Sequence, residues 1–168
     1  MKKIFLTLCS QFFIENGEQL WEQFISQLAI IRIRLDLDAI AAYKKDPAAK
    51  SLKEIYLAYP GFYAIAIYRL SRALLLLNIP IIPRMMSEYA HGVTGTDIHP
   101  GANIGDSFFI DHATGIVIGE TAIIKNNVTI YQGVTLGGVK VMKNLSNTKR
   151  HPTIENNVTI YANATILG

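Results

Sequence analysis

The sequence predicts an α+β chain: an all-α N-terminal domain over residues 1–92, then a parallel β-helix of six-residue repeats over residues 93–168. Three observations predict it. Apolar residues recur at helical spacing before Tyr43, prolines punctuate the chain up to Pro83, and the apolar period changes to six after Gly92. A chain of 168 residues, 50% of them apolar, is long enough to bury one substantial core or two small ones.

From Gly17 to Tyr43, Leu20, Phe24, Leu28, Ile31, Leu35 and Ile40 follow one another at steps of three to five, the mark of a buried helical stripe. Asp46-Pro47 ends that helix, because proline lacks the N–H that continues the ladder and pushes its predecessor into extended backbone. Further helices are expected over Leu52 to Ala58, Gly61 to Leu77 and Ile81 to Ala90, separated by Pro60, Pro80 and Pro83. The lysines and short apolar stretch of Met1 to Cys9 are too brief for a secretory leader and read as the start of a helix. Phe62 to Pro83 is long enough to span a bilayer, but Arg69 and Arg72 interrupt it, so it reads as an amphipathic helix and no membrane is expected.

After Gly92, Ile98, Ile104 and Ile110 set a period that Ile118, Ile124, Ile130 and Leu136 continue and that Ile154, Ile160 and Ile166 resume. Four residues after most markers stands a second row: Ala102, Phe108, Ala122, Val128, Val134, Val158 and Ala164. Two rows in one phase describe a triangular coil, each six-residue unit pointing one aliphatic side chain inward. Successive turns stack at about the 4.8 Å strand spacing and bury a continuous column.

Where the period breaks, polar residues gather. Ile110 to Ile118 is a step of eight, so two residues must bulge at the corner Asp111-His112-Ala113-Thr114-Gly115. Asp97 and His112 lie fifteen residues apart, near one eighteen-residue turn less the bulge, which predicts them as neighbours on adjacent turns. A carboxylate beside an imidazole equips it to take a proton from an alcohol. The plain alternative is a corner histidine satisfied by a backbone carbonyl. Gly137 to His151 carries no repeat and reads as an extruded loop containing Lys140, Lys143, Lys149 and Arg150. Arg150 is suited to hold a carboxylate bidentately, whereas the lysines read as a solvated surface.

Taken in order, Asp97-Ile98-His99-Pro100, Asp111 to Thr121, Val134 to Gly138 and Arg150-His151-Pro152 resemble the serine O-acetyltransferases, over Asp46 to Gly168. The resemblance implies a left-handed handedness for the β-helix and a direct acetyl transfer from acetyl-CoA to L-serine, giving O-acetylserine for cysteine biosynthesis. It also implies that His112 is the general base and Asp97 its partner, that Asp46, Asp111, Arg150 and His151 bind serine, and that Gly138 and Ala162 contact acetyl-CoA. A homo-oligomer is implied, a trimer or a dimer of trimers, with cysteine as feedback inhibitor and no metal.

Departures accompany the likeness. The sequence stops mid-coil at Leu167-Gly168, which reads as a truncated β-helix, and docking of O-acetylserine sulfhydrylase through a C-terminal tail is not expected of it. Lys149 stands where an acidic residue is common, and Tyr161 where a small one is. A net charge of +3 without a basic run gives no footprint for nucleic acid, and the single cysteine, Cys9, fits a reducing, cytoplasmic setting. Competing readings are a sugar or antibiotic O-acetyltransferase, a zinc enzyme of the carbonic anhydrase kind using His99, His112 and His151, and an inactive oligomerising fragment.

Overall fold

Helix α1 (Lys2–Gln11) leads into α2 (Gly17–Lys45), and then come α3 (Leu52–Ala58), α4 (Pro60–Leu76) and α5 (Ile82–Thr94). The structure is a computed structural model that describes residues 1–139 and 148–168. Asp46 ends α2 in extended backbone, as the residue before a proline should. Ser51 caps α3, its hydroxyl accepting the Glu54 N–H at 3.2 Å, while the Glu54 carboxylate accepts from the Lys50 N–H at 2.7 Å. Pro60 opens α4 at a position whose N–H a helix does not use, and Gly95 closes α5 in left-handed backbone.

Ten short strands follow among the described residues: β1 (Thr96–Ile98), β2 (Asn103–Ile104), β3 (Phe109–Ile110), β4 (Ile116–Ile118), β5 (Ile123–Ile124), β6 (Thr129–Ile130), β7 (Thr135–Gly137), β8 (Thr153–Ile154), β9 (Thr159–Ile160) and β10 (Thr165–Leu167). They form three parallel faces: face A is β1-β4-β7-β10, face B is β2-β5-β8 and face C is β3-β6-β9. The chain visits A, B and C in turn, so its three corners are A/B, B/C and C/A. Ile98, Ile104, Ile110, Ile118, Ile124, Ile130, Leu136, Ile154 and Ile160 are buried in one column, with Ala102, Phe108, Ala122, Val128 and Val134 as the second row. At the B/C corner, Asn127 and Asn157 adopt left-handed backbone and stack, the Asn127 amide donating to Asn157 Oδ1 at 2.7 Å. The expected loop 137–151 begins on the end of β7, and its residues 140–147, with Lys140 and Lys143, lie outside the described residues.

The first coil would expose unpaired strand groups, and the helices cover them. Tyr68 donates its hydroxyl to Ala102 O at 2.6 Å and accepts the Ile104 N–H at 3.2 Å, so one phenol serves two groups of the β2 edge. Arg72 donates to Pro100 O and Gly101 O, and Arg34 to Ile104 O and the Asp106 carboxylate. Ala64, Ile65 and Tyr68 of α4 belong to the same apolar cluster as the coil's column. A separate cluster, Phe5, Trp21, Phe24, Ile31, Leu74 and Ile79, ties α1 to α2 and α4.

Arg69 does more than interrupt an apolar stretch. It is buried and forms a fork onto Asp38, Nε to Oδ2 at 2.6 Å and Nη2 to Oδ1 at 2.8 Å, while Nη2 also donates to Gly105 O at 2.8 Å. Asp38 accepts the Phe108 N–H as well, at 2.9 Å. One ion pair therefore joins α2, α4 and the B/C corner. Burial pushes the Asp38 carboxyl up from its usual range, and the Arg69 guanidinium opposes that shift. Asp38→Ala is expected to cost about 3–5 kcal/mol in urea unfolding, because it strands a buried guanidinium. Replacing both residues together, as Asp38→Leu with Arg69→Met, should cost less than the single substitution.

Candidate active site

The two extra residues of the first coil leave at the C/A corner, and the backbone there is strained. His112 and Ala113 have φ of 59° and 72°, and Gly115 has 78°. Left-handed backbone at a non-glycine residue costs on the order of 1–3 kcal/mol and persists only where neighbours over-determine it. Here Thr96 Oγ1 donates to Ala113 O at 2.9 Å, Gly115 N–H to Gly95 O at 2.8 Å, and Gly133 N–H to Thr114 O at 2.9 Å. Ala113 is drawn into the core and His112 is turned outward, its side chain 70% exposed.

Asp111, mostly covered, stands beside it, with 3.9 Å from Oδ1 to His112 Nε2. Asp46 reaches the same corner from the end of α2. Its carboxylate accepts the Tyr59 hydroxyl and, through Oδ1, the Ala48 N–H at 2.8 Å. Burial drives the Tyr59 phenol well above its ordinary range, and the charges of Asp46, Glu54 and Asp111 add to the shift. The α3–α4 junction can approach because Gly61 lies on the backbone of β3: a Cβ there would stand 2.3 Å from Ile110 O.

Asp97 is placed differently from the fifteen-residue reckoning. In register its partner on the next turn is Val117, five residues beyond His112, because the bulge makes the first turn twenty residues long. Among the described residues no hydrogen bond or ion pair joins Asp97 to His112. Asp97 lies on face A, between the C/A and A/B corners.

Arg150 and His151 occupy the A/B corner, stacked beneath Glu120 and Thr121 of the turn before. The Arg150 guanidinium pairs with the Glu120 carboxylate. Thr121 Oγ1 accepts the N–H groups of Arg150 and His151 at 2.9 and 3.1 Å, and His151 Nδ1 receives the Thr121 N–H at 3.1 Å. The His151 ring covers Gly119, where a Cβ would stand 2.0 Å from its Cδ2. His99, in the first coil at this corner, accepts the Gly101 N–H on Nδ1 at 3.0 Å. Gly138 also stands at this corner, a Cβ on it falling 2.8 Å from Arg150 O. Ala162 is at the C/A corner, between Asn163 and Tyr161, whose ring stacks on Tyr131 at 5.3 Å.

One chain thus gathers Asp46, Asp111, His112 and Ala162 at one corner and Gly138, Arg150 and His151 at another. His99 and His151 share a corner that His112 does not, so the three histidines of the zinc reading do not converge within the chain. Among the described residues no group of three or more His, Cys, Asp or Glu is arranged to hold a metal ion, and no helix is long and apolar enough to cross a membrane. Sequence reasoning passed over Tyr59, Glu120 and Thr121 as site residues. Glu120 and Thr121 stand thirty residues before Arg150 and His151, one turn of eighteen plus the twelve inserted, and that sum would have paired them.

A six-residue coil with its irregular corners carrying histidine, acids and arginine defines a hexapeptide-repeat protein. No family model matches the chain. It is 47% identical over 159 residues to a plasmid-encoded serine acetyltransferase of Synechococcus elongatus, covering 92% of this chain and 50% of that protein. It is 49% identical over 125 residues to the serine acetyltransferase of Helicobacter pylori, covering 74% and 71%. The native serine acetyltransferase 1 of Entamoeba histolytica superposes with a TM-score of 0.92 at 41% identity, over 99% of this chain and 64% of that one. Isoform 3 from the same organism, in complex with cysteine, gives 0.88 at 41% identity over 98% and 57%. The Brucella abortus enzyme in complex with coenzyme A gives 0.79 at 34% identity over 90% and 59%. The chain belongs to the serine acetyltransferase family, and its β-helix is the left-handed one of those structures. It spans about half the length of the first curated relatives it matches.

The A/B histidines give the site a pH signature. Burial holds His99 below the usual 6.5, with Glu120 opposing and Arg84 and Arg150 adding to the shift. His151 is lowered by burial first and then by Arg150 and Lys149. The folded chain therefore binds fewer protons than the unfolded one just below 6.5, so this contribution is complete above 6.5 and is lost as pH falls through the lowered values. The urea midpoint should drop between about pH 7.5 and pH 5.5, and a His99→Asn/His151→Asn variant should drop less.

Proposed function

We propose that this chain is part of an enzyme that transfers the acetyl group of acetyl-CoA to the hydroxyl of L-serine, giving O-acetylserine. The observation that carries the reading is the pairing of opposite clamps on either side of face A. Asp46 and Asp111 at the C/A corner suit the ammonium of an amino acid. Arg150 at the A/B corner, drawn there by Glu120, suits its carboxylate. His112, exposed beside Asp111, is then the base for the hydroxyl between them. The coenzyme A and cysteine held by the two related structures support acetyl-CoA as the donor and cysteine as an inhibitor competing with serine.

The imidazole of His112 takes the serine hydroxyl proton as the oxygen attacks the thioester carbonyl carbon, and backbone N–H groups meet the tetrahedral oxyanion. The C–S bond then breaks, the proton passes from the imidazolium to the departing thiolate, and no acyl-enzyme forms. Asp97, on the strand that Thr96 ties to the bulge, is assigned to steady the imidazolium once the exposed ring turns toward face A. Gly138 and Ala162 are assigned to acetyl-CoA.

The clamps stand at two corners of one prism, so a serine bridging them calls for a second copy whose A/B corner meets the first copy's C/A corner. A trimer closes such contacts threefold, and a dimer of trimers extends it. The cytoplasm supplies both substrates and suits the lone cysteine.

His112→Ala should lower kcat by about two to four orders of magnitude with serine as acceptor. Arg150→Ala should chiefly raise the serine KM. Mixing the two variants after co-refolding should restore part of the activity, since a mixed assembly rebuilds intact sites between copies. Acetylation of a sugar in preference to serine would overturn the amino-acid clamp, and an absence of rescue on mixing would overturn the shared site.

A further inference from the structure

We propose that Thr121 is a positioning residue that fixes His151 with its proton on Nε2, so that His151 offers the substrate carboxylate a hydrogen-bond donor and takes no part in proton transfer. The inference rests on the amino-acid reading above for its substrate and on the hydrogen bonds of the A/B corner for its chemistry.

Thr121 Oγ1 lies 2.9 Å from the Arg150 N–H and 3.1 Å from the His151 N–H, and both are donors. A hydroxyl has two acceptor positions and one proton. With its acceptor positions taken, the hydroxyl has that proton left to give, and its remaining neighbour is His151 Nδ1 at 2.8 Å. The backbone N–H of Thr121 points at the same nitrogen from 3.1 Å. Nδ1 thus faces two donors and must carry a lone pair, which in a neutral imidazole puts the proton on Nε2. Protonating Nδ1 would set N–H against N–H and break both contacts.

The ring's surroundings agree. It lies against Gly119, where any Cβ would displace it, and Arg150, Lys149, Glu120 and His99 are charged and titratable groups around it. Cations outnumber the single carboxylate, which disfavours imidazolium further. One threonine therefore sets the backbone that carries Arg150, the backbone that carries His151, and the tautomer of the His151 ring. His99, two turns away at the same corner, likewise accepts a backbone N–H on Nδ1, that of Gly101.

The chemistry suits a carboxylate. The Nε2–H and the Arg150 guanidinium are both donors and match an acceptor-only anion, which would share Arg150 with the Glu120 carboxylate.

Side-chain 15N NMR of the full chain without substrate is the direct test, with the His151 signals assigned by their loss in His151→Asn. At about pH 7.5 the expected pattern is an unprotonated Nδ1 and a protonated Nε2, and a protonated Nδ1 or a charged ring would overturn the proposal. Thr121→Val should shift that pattern toward a tautomer mixture and raise the serine KM about tenfold with kcat held within about twofold, one hydrogen bond's worth. Thr121→Ser, which keeps the hydroxyl, should restore both. A Thr121→Val chain with unchanged tautomer and KM would sink the positioning role, and a changed tautomer with unchanged KM would sink the carboxylate contact. Because the NMR needs no turnover, failure of serine acetylation and failure of the tautomer lock are read separately; wild-type and Thr121→Ser spectra decide the lock even if Thr121→Val does not fold.

Discussion

A six-residue repeat allows one inward aliphatic side chain per strand and three strands per turn, and everything irregular must leave at a corner. Ile104, Ile110, Ile118, Ile124, Ile130 and Leu136 are all buried to within about one percent of complete exclusion from solvent. Burying each such side chain contributes about 1.5–3 kcal/mol, so a residue inserted within a strand would shift the phase and expose the column below it. Inserted residues are therefore confined to the C/A corner of the first turn and the A/B corner of the third. Those are the places where His112 and Arg150 stand. The stability of the column and the location of the proposed site follow from the same periodicity.

The helices have two tasks that one set of contacts fulfils. Tyr68, Arg34, Arg69 and Arg72 satisfy carbonyls and an N–H that an open first turn would leave without partners. The same fastening decides where α2 ends relative to the coil. Asp38 is locked to Arg69 and Phe108, and eight residues later the helix delivers Asp46 to the neighbourhood of Asp111. Gly61 lets α4 rest directly on Ile110, the residue before Asp111. The acid pair at the C/A corner is thus a product of the interface between helices and coil, and loosening that interface would disperse it.

The helices were legible to within a few residues because their breaks are chemical: Asp46-Pro47, Pro60 and Pro80 act locally, whatever surrounds them. Both rows of the column were legible too, since their phase persists over several turns. What local pattern could not supply was register across an irregular turn. Fifteen residues between Asp97 and His112 look like a turn with slack, but the two-residue bulge lengthens the turn to twenty and puts Val117 opposite Asp97. The same blindness hid Tyr59, since its link to Asp46 depends on how α3 and α4 fold back, and hid the bond of Thr121 to Arg150, which spans the twelve-residue insertion. Nor does sequence order reveal that Arg150 and His112 stand on different corners. That follows from counting faces.

Two histidines of this family signature, alike in sequence prominence, meet opposite environments. His112, the proposed base, sits on left-handed backbone, is largely exposed, and stands 3.9 Å from the Asp111 carboxylate. His151 is half-buried, set against Gly119 and bonded through Nδ1, so on the proposal above it keeps a proton at Nε2 and gives up the exchange. The bulge turns the first residue outward by burying its neighbour Ala113 in its place. The threonine makes the second rigid by occupying its inner nitrogen. A base has to accept and release a proton within each turnover, whereas a substrate clamp has to hold one orientation throughout. In a scaffold whose strands are all alike, that difference can be built only at corners, and the proposed base and the proposed clamp stand at two of them.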